Sequence, residues 1–434
     1  MNHLVNQIKG RRAIAGAVIL GYASMGCSIV VQLLFVPIYL RYLGQFEFGV
    51  LMLLLSFINF ASMGIGWMSG GMQRILGEYA AVRDDEGFAR AYSLCKVAYC
   101  AYAAMISIAM VLVGTVGLRF FFPSTPAEHV PSIQYSVIAA AVYFVVYYEF
   151  SVERLALASQ QRLAAGYFYQ IVSQVAFAIP VYFWLRAGGG LKCVLICLLA
   201  GIVVARIGSG FYWRGTGILK GWYWPGRDSM PMLRRLTGTM GRGYMLYGPL
   251  LLVIQSDYLL VGKLGGAVAV AQFTLVWRLA DALSQVICKV PEFLTPYLFQ
   301  MDARGEHARM AAIYRRFNLY LQIVPLAVGI AYAFGGYWVM RHWVGPARAI
   351  DNPAGFAFAG AAIFWISSAR LPSMYAFSTV NLKSLNTVAA FEAAGKVILT
   401  VLLYPKLSYL APMVATTITH AGGVAIAYRR LVKL

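Results

Sequence analysis

Apolar stretches of about twenty residues or more, broken by short polar or glycine-bearing segments, recur along the whole chain. The first, AIAGAVILGYASMGCSIVVQLLFVPIYL, fills residues 13–40. At 1.5 Å of rise per residue, a helix of that length crosses a hydrocarbon layer of about 30 Å. The pattern predicts helices over 13–40, 49–71, 94–122, 131–152, 166–186, 191–213, 243–262, 267–300, 319–340, 355–380, 384–404 and 409–428. The fold class expected is therefore an all-α polytopic membrane protein with about twelve crossings, an even number that puts both termini on one side.

Loop composition orients the chain. With the N-terminus in the cytoplasm, the inner connections 74–93, 153–165, 214–242 and 301–318 are the longer ones, and most of the 36 Lys and Arg fall in them, in the tails or at inner helix ends. That asymmetry obeys the positive-inside rule. The 214–242 segment, RGTGILKGWYWPGRDSMPMLRRLTGTMGR, is glycine-rich and broken by prolines. It reads as a cytoplasmic linker between an N-terminal lobe (1–213) and a C-terminal lobe (243–434), with Trp222, Tyr223 and Trp224 at headgroup depth. Leu43-Gly44 and Leu264-Gly265 each separate two apolar runs. The first and seventh helices point the same way, as parallel repeats would.

Composition agrees with this picture and narrows the partners. Hydrophobic residues make up 60% of the 434 and charged residues 12%, against about a quarter charged in soluble domains. The net charge of +20 is spread over many short loops, which suits anionic lipid heads and excludes nucleic acid as a partner. The basic start MNHLVNQIKGRR precedes an apolar run too long for a signal peptide, so the first helix is expected to be retained. The six cysteines lie in or beside apolar runs without zinc or thioredoxin spacing. No cofactor and no metal site is expected, and no nucleophile–base pair or nucleotide loop is visible.

Candidate chemistry lies in polar groups buried within the apolar runs. Arg278, Asp281, Gln285, Lys289 and Glu292 recur every three or four residues, hence on one helix face. A charge at the bilayer centre costs roughly 2.5 kcal/mol or more, so this stripe is expected to line a wet cavity or to meet partners. Lys289 and Glu292 equally suit emergence near the inner headgroups. Arg370, in FWISSARLPSMY, has no opposite charge within one turn and is the best candidate for holding an anion. Glu392 and Lys396 stand at i, i+4 with the acid first, the favourable order for an internal pair, and Asp257 lies a turn or two inside the outer end of the seventh helix. These eight charged residues are the candidate substrate-binding or ion-coupling set. In the first half the mid-helix groups are mostly neutral. Gln32, Asn59, Gln170 and Gln174 are suited to sugar hydroxyls or to tying helices together, and Arg74 marks an inner gate or headgroup contact.

The stretch VPIYLRYLGQFEFGVLMLLLSFINFASMGIGWMSGGMQRILGEY (36–79) resembles the opening of the polysaccharide transporter family, the Wzx-type flippases of the multidrug/oligosaccharidyl-lipid/polysaccharide superfamily. Pro37, Tyr42-Leu43-Gly44, Gly49, the helix-two glycines, and Arg74 with Glu78 carry the likeness. SDYLLVGKLGGAVAVAQFTLVWRLADAL and Pro296 extend it into the second half. The resemblance implies two parallel six-helix lobes of the MATE/MOP type around a central cavity, working by alternating access. It implies as cargo an undecaprenyl-diphosphate-linked oligosaccharide, moved from the cytoplasmic to the periplasmic leaflet of the inner membrane for O-antigen, capsule or exopolysaccharide synthesis. Protons or sodium ions and a polymerase/chain-length complex are the further partners implied. A cation-coupled multidrug antiporter of the same fold, with Asp257, Asp281 or Glu392 as ion site, is the alternative. A membrane glycan polymerase or glycosyltransferase is disfavoured by the short outer loops, so no enzyme is expected.

Overall fold

The computed structural model describes residues 2–115, 126–160, 162–216, 222–226, 229–303, 305–378 and 382–432. Among them every regular element is helical, and ten segments are long and apolar enough to cross a membrane. This is a polytopic helical membrane protein. The ends of two expected helices (116–122 and 379–380) and parts of the 214–242 linker lie outside the described residues, as do the side chains of Arg74, Glu292 and Pro296.

The chain divides into two compact units. The first comprises Met1–Leu43 and Ala61–Tyr244, the second Gly44–Phe60 and Met245–Leu434. The first unit contains α1 (Asn2–Tyr42), the later part of α2 (Gly44–Val82), α3 (Asp85–Thr115), α4 (Val130–Ser159), α5 (Leu163–Arg186) and α6 (Gly190–Thr216). α3 packs on α4, α4 and α5 pack on α6, and α1 lies along α5. Aromatic side chains fill the joints: Tyr99, Phe144, Tyr148 and Phe150 are all buried. The α2–α3 turn shows why charge does not end a helix here. Arg83 adopts a left-handed conformation (φ 57°) and, with the next amide, returns hydrogen bonds to Ala80 and Tyr79. Asp84 Oδ1 then accepts from the Gly87 amide at 2.8 Å, a side-chain cap on the orphan donors of α3. Helices therefore continue several residues beyond their apolar runs, and α2 reaches Val82 rather than residue 71.

The second unit is built on the part of α7 (Met230–Ala303) that follows Tyr244; this 74-residue helix is bent at Gly266, where φ 75° and ψ −174° form a conformation open in practice only to glycine. The two expected helices 243–262 and 267–300 are thus arms of one element. The early part of α2 packs against the bend: a side chain at Gly49 would collide with the Ala267 carbonyl, and one at Gly262 would strike Leu53. Then come α8 (His307–Val344), α9 (Pro353–Ser378), α10 (Leu382–Leu407), α11 (Ala411–Thr419) and α12 (Ala425–Arg430). α8 and α9 approach backbone to backbone at Gly329 and Gly360, each of which has no room for a Cβ. The Tyr332 hydroxyl donates to the Val276 carbonyl at 2.7 Å, tying α8 to α7. Between α11 and α12 the chain makes a wide π turn, His420–Val424, with Gly423 at φ 135°. Each unit also turns apolar side chains outward, such as Phe183 on α5 and Phe334 on α8, as lipid contact requires.

Candidate functional site

In the second unit the polar side chains of α7 and α9–α12 converge on one cavity of about 350 Å³. The later arm of α7 presents Asp281, Gln285 and Lys289 to it, at the four-residue spacing of a single helix face. The earlier arm adds Asp257, α9 adds Arg370 and Ser373, and α10 adds Glu392 and Lys396. Thr416, His420 and Tyr428 complete the wall from α11, the π turn and α12. A π turn widens a helix locally and is often found at functional sites; here His420 is its first residue.

The deepest charges are neutralised across helices. Lys396 Nζ donates to Asp257 Oδ2 at 2.8 Å, with both residues about 5% exposed or less. Glu392 takes a 2.6 Å hydrogen bond from the Tyr428 hydroxyl through Oε2, and its Oε1 lies 3.1 Å from His420 Nε2. Glu392 and Lys396 thus each have a tertiary partner, besides the neighbour at i, i+4 that their spacing offers. A partner offsets the cost of a buried charge. Asp281 Oδ2 accepts from Gln285 Nε2 at 2.9 Å. The Ser373 hydroxyl bonds back to the Arg370 carbonyl at 2.8 Å. Among the described residues no three His, Cys, Asp or Glu side chains are grouped to hold a metal ion.

Of the eight charged candidates, six thus line one cavity: Asp257, Asp281, Lys289, Arg370, Glu392 and Lys396. Arg278 lies one turn before Asp281 and is not part of the wall, and Glu292 and Arg74 have no described side chains. Of the four neutral candidates, Gln170 and Gln174 stand one turn apart on α5. Gln32 is exposed and bonds to Ser28 at 3.1 Å, and Asn59 is exposed on the part of α2 that belongs to the second unit. Gln170 accepts from Arg154, and the Oε1 of Gln174 is buried with no partner among the described residues.

No protein-family model and no curated protein matches the chain in sequence. Solved structures do match in shape. An inward-facing multidrug resistance MATE family transporter of the MOP superfamily aligns with a TM-score of 0.78 at 12% identity, over 93% of both chains. The lipid II flippase MurJ aligns with a TM-score of 0.66 at 12% identity, over 95% of this chain and 86% of that one. A MOP superfamily transporter from Pyrococcus furiosus, described as having a binding pocket of reversed polarity, gives 0.64 at 14%, over 97% and 95%. The fold is that of these transporters.

Within this shared fold the first unit holds a second polar cluster, which sequence reasoning missed. Lys96 on α3 and Arg206 on α6 both contact Glu149 on α4, and Arg206 Nη1 lies 3.0 Å from Glu153 Oε1. The Ser209 hydroxyl donates to the other oxygen of Glu153 at 2.6 Å. Two acids and two bases cancel, so the cluster ties three helices together. Glu149 and Glu153 stand one turn apart and were legible as a face. Their partners, more than fifty residues away, were not. In the second unit His420 and Tyr428 were missed because their partner Glu392 lies on another helix, beyond the reach of helical spacing.

Proposed function

We propose that the protein is a flippase that carries an undecaprenyl-diphosphate-linked oligosaccharide between leaflets of the bacterial inner membrane by alternating access. The observation that carries this reading is the second-unit cavity, where Arg370 and Lys289 share one wall system with Asp281, Ser373 and Thr416. A diphosphate and its sugars cannot enter hydrocarbon unaided, because charges there cost several kcal/mol, on the order of 2.5 or more each. A cavity with cations for the phosphates and hydroxyls for the sugars lowers that barrier while the prenyl tail stays in lipid. The fold's occurrence in a lipid II flippase supports the same cargo chemistry. Both termini lie in the cytoplasm, and a polymerase/chain-length complex on the periplasmic side receives the product.

A second reading is a cation-coupled multidrug antiporter. The acids Asp257, Asp281 and Glu392 in the same cavity favour it, as does the likeness to a multidrug transporter. Proteoliposomes containing a fluorescent prenyl-diphosphate oligosaccharide separate the two. The flippase reading expects its exchange between leaflets well above protein-free vesicles. Absence of exchange, together with efflux of cationic dyes, would overturn it in favour of the antiporter.

A further inference from the structure

The acid–base cluster of the first unit leaves one cation out. Arg154 on α4 is half-buried, and among the described residues no carboxylate forms an ion pair with it, because Glu149 and Glu153 are taken by Lys96 and Arg206. Its guanidinium lies over the rings of Tyr147, 5.8 Å away, and Phe150, 6.0 Å away. Nη1 donates to Gln170 Oε1 at 3.2 Å, and the buried Nε has no acceptor among the described residues.

The direction of the side chain matters. α4 ends at Ser159, so an arginine reaching for lipid headgroups at that end would extend toward residue 159, as snorkelling cations do. Arg154 instead folds back over residues two turns and one turn earlier, toward the middle of its span. A cation drawn inward without a fixed counter-ion is a functional feature by default. A second unmet group stands beside it. Gln174 follows Gln170 by one turn on α5, and its buried Oε1 lacks a donor among the described residues. Gln170 and Gln174 share one helix face. Tyr143 stacks on Tyr147 at 5.6 Å, and both rings pack against the buried Phe150, Ile202 and Ala205.

We propose that Arg154, Gln170 and Gln174 form a binding site for an acidic sugar of the uronate class, with the carboxylate on the guanidinium and a ring hydroxyl donating to Gln174 Oε1. A uronate meets both needs from one rigid ring, which carries the carboxylate and the hydroxyls together. The role of the site in selecting cargo rests on the transport reading, but binding itself is tested without transport.

The test is titration calorimetry of the full chain in neutral detergent with trigalacturonate, and with maltotriose as the uncharged probe. Wild type is expected to bind the uronate and to prefer it over maltotriose. Arg154→Gln is expected to weaken uronate binding about ten- to a hundredfold, the scale of lost charge-assisted hydrogen bonds. Arg154→Lys should retain part of the affinity, and Gln174→Leu should lose several-fold. Should Arg154→Gln fail to fold, the lysine and leucine variants decide. Wild-type affinity in those variants, or equal binding of the two probes by wild type, would overturn the site. Competition by phosphatidylglycerol nanodiscs that removes all uronate binding would reassign it to lipid headgroups. Uronate binding by a protein that fails to exchange lipid-linked oligosaccharide would sink the transport reading and leave the site standing.

Discussion

Lys396 and Asp257 meet at 2.8 Å in the wall of the second-unit cavity, both almost fully buried. Removing one partner leaves the other as an uncompensated charge, typically at a cost of about 3–5 kcal/mol. Lys396→Met and Asp257→Asn are each expected to lower the melting temperature in detergent. The double variant should recover much of the loss, because no lone charge remains; equal loss in single and double variants would show that the pair is not coupled. Arg370 stands in the same wall without a carboxylate one turn away on its own helix. Arg370→Ala is expected to insert normally and lose leaflet exchange, measured in proteoliposomes, with Arg370→Lys retaining a fraction. That charged side chains in apolar helices would face inward was legible from cost alone. Which of them would pair was not: Glu392 and Lys396 are neighbours by spacing, yet each bonds to a residue from another helix.

Elements were legible where the apolar run defines them and illegible at their ends. Charged ends stay helical when a cap satisfies the backbone, as Asp84 does for α3, and no hydrophobic period reports that. The bend in α7 shows the converse. Leu264-Gly265 marked a break in the pattern, but only the backbone shows that Gly266 carries it and that Gly49 on α2 rests against the next residue. Gly266→Ala forces a side chain into a region that costs on the order of 1–3 kcal/mol. Thermal unfolding of that variant in detergent is expected at a lower temperature than for wild type; an unchanged melting temperature would show that the bend carries no strain. The π turn at His420–Val424 had no sequence signal beyond its paired glycines, Gly422 and Gly423.

For the whole molecule, the membrane class was legible because bilayer thickness dictates helix length, whereas the transporter fold was expected from the resemblance of residues 36–79 and 256–283 to a known family. The membership of Gly44–Phe60 in the second unit rests on contacts between positions far apart in sequence, which spacing does not encode. The central claim is that the ionic side chains of the second unit enclose water within the span. Cys288 lines that cavity and serves as a native reporter once the other five cysteines are replaced. A charged, membrane-impermeant thiol reagent applied to membranes holding this variant is expected to modify Cys288 readily, and a short-chain prenyl diphosphate is expected to protect it. A Cys288 as inert as a cysteine placed at lipid-exposed Leu402 would mean a dry interior, and would contradict the account.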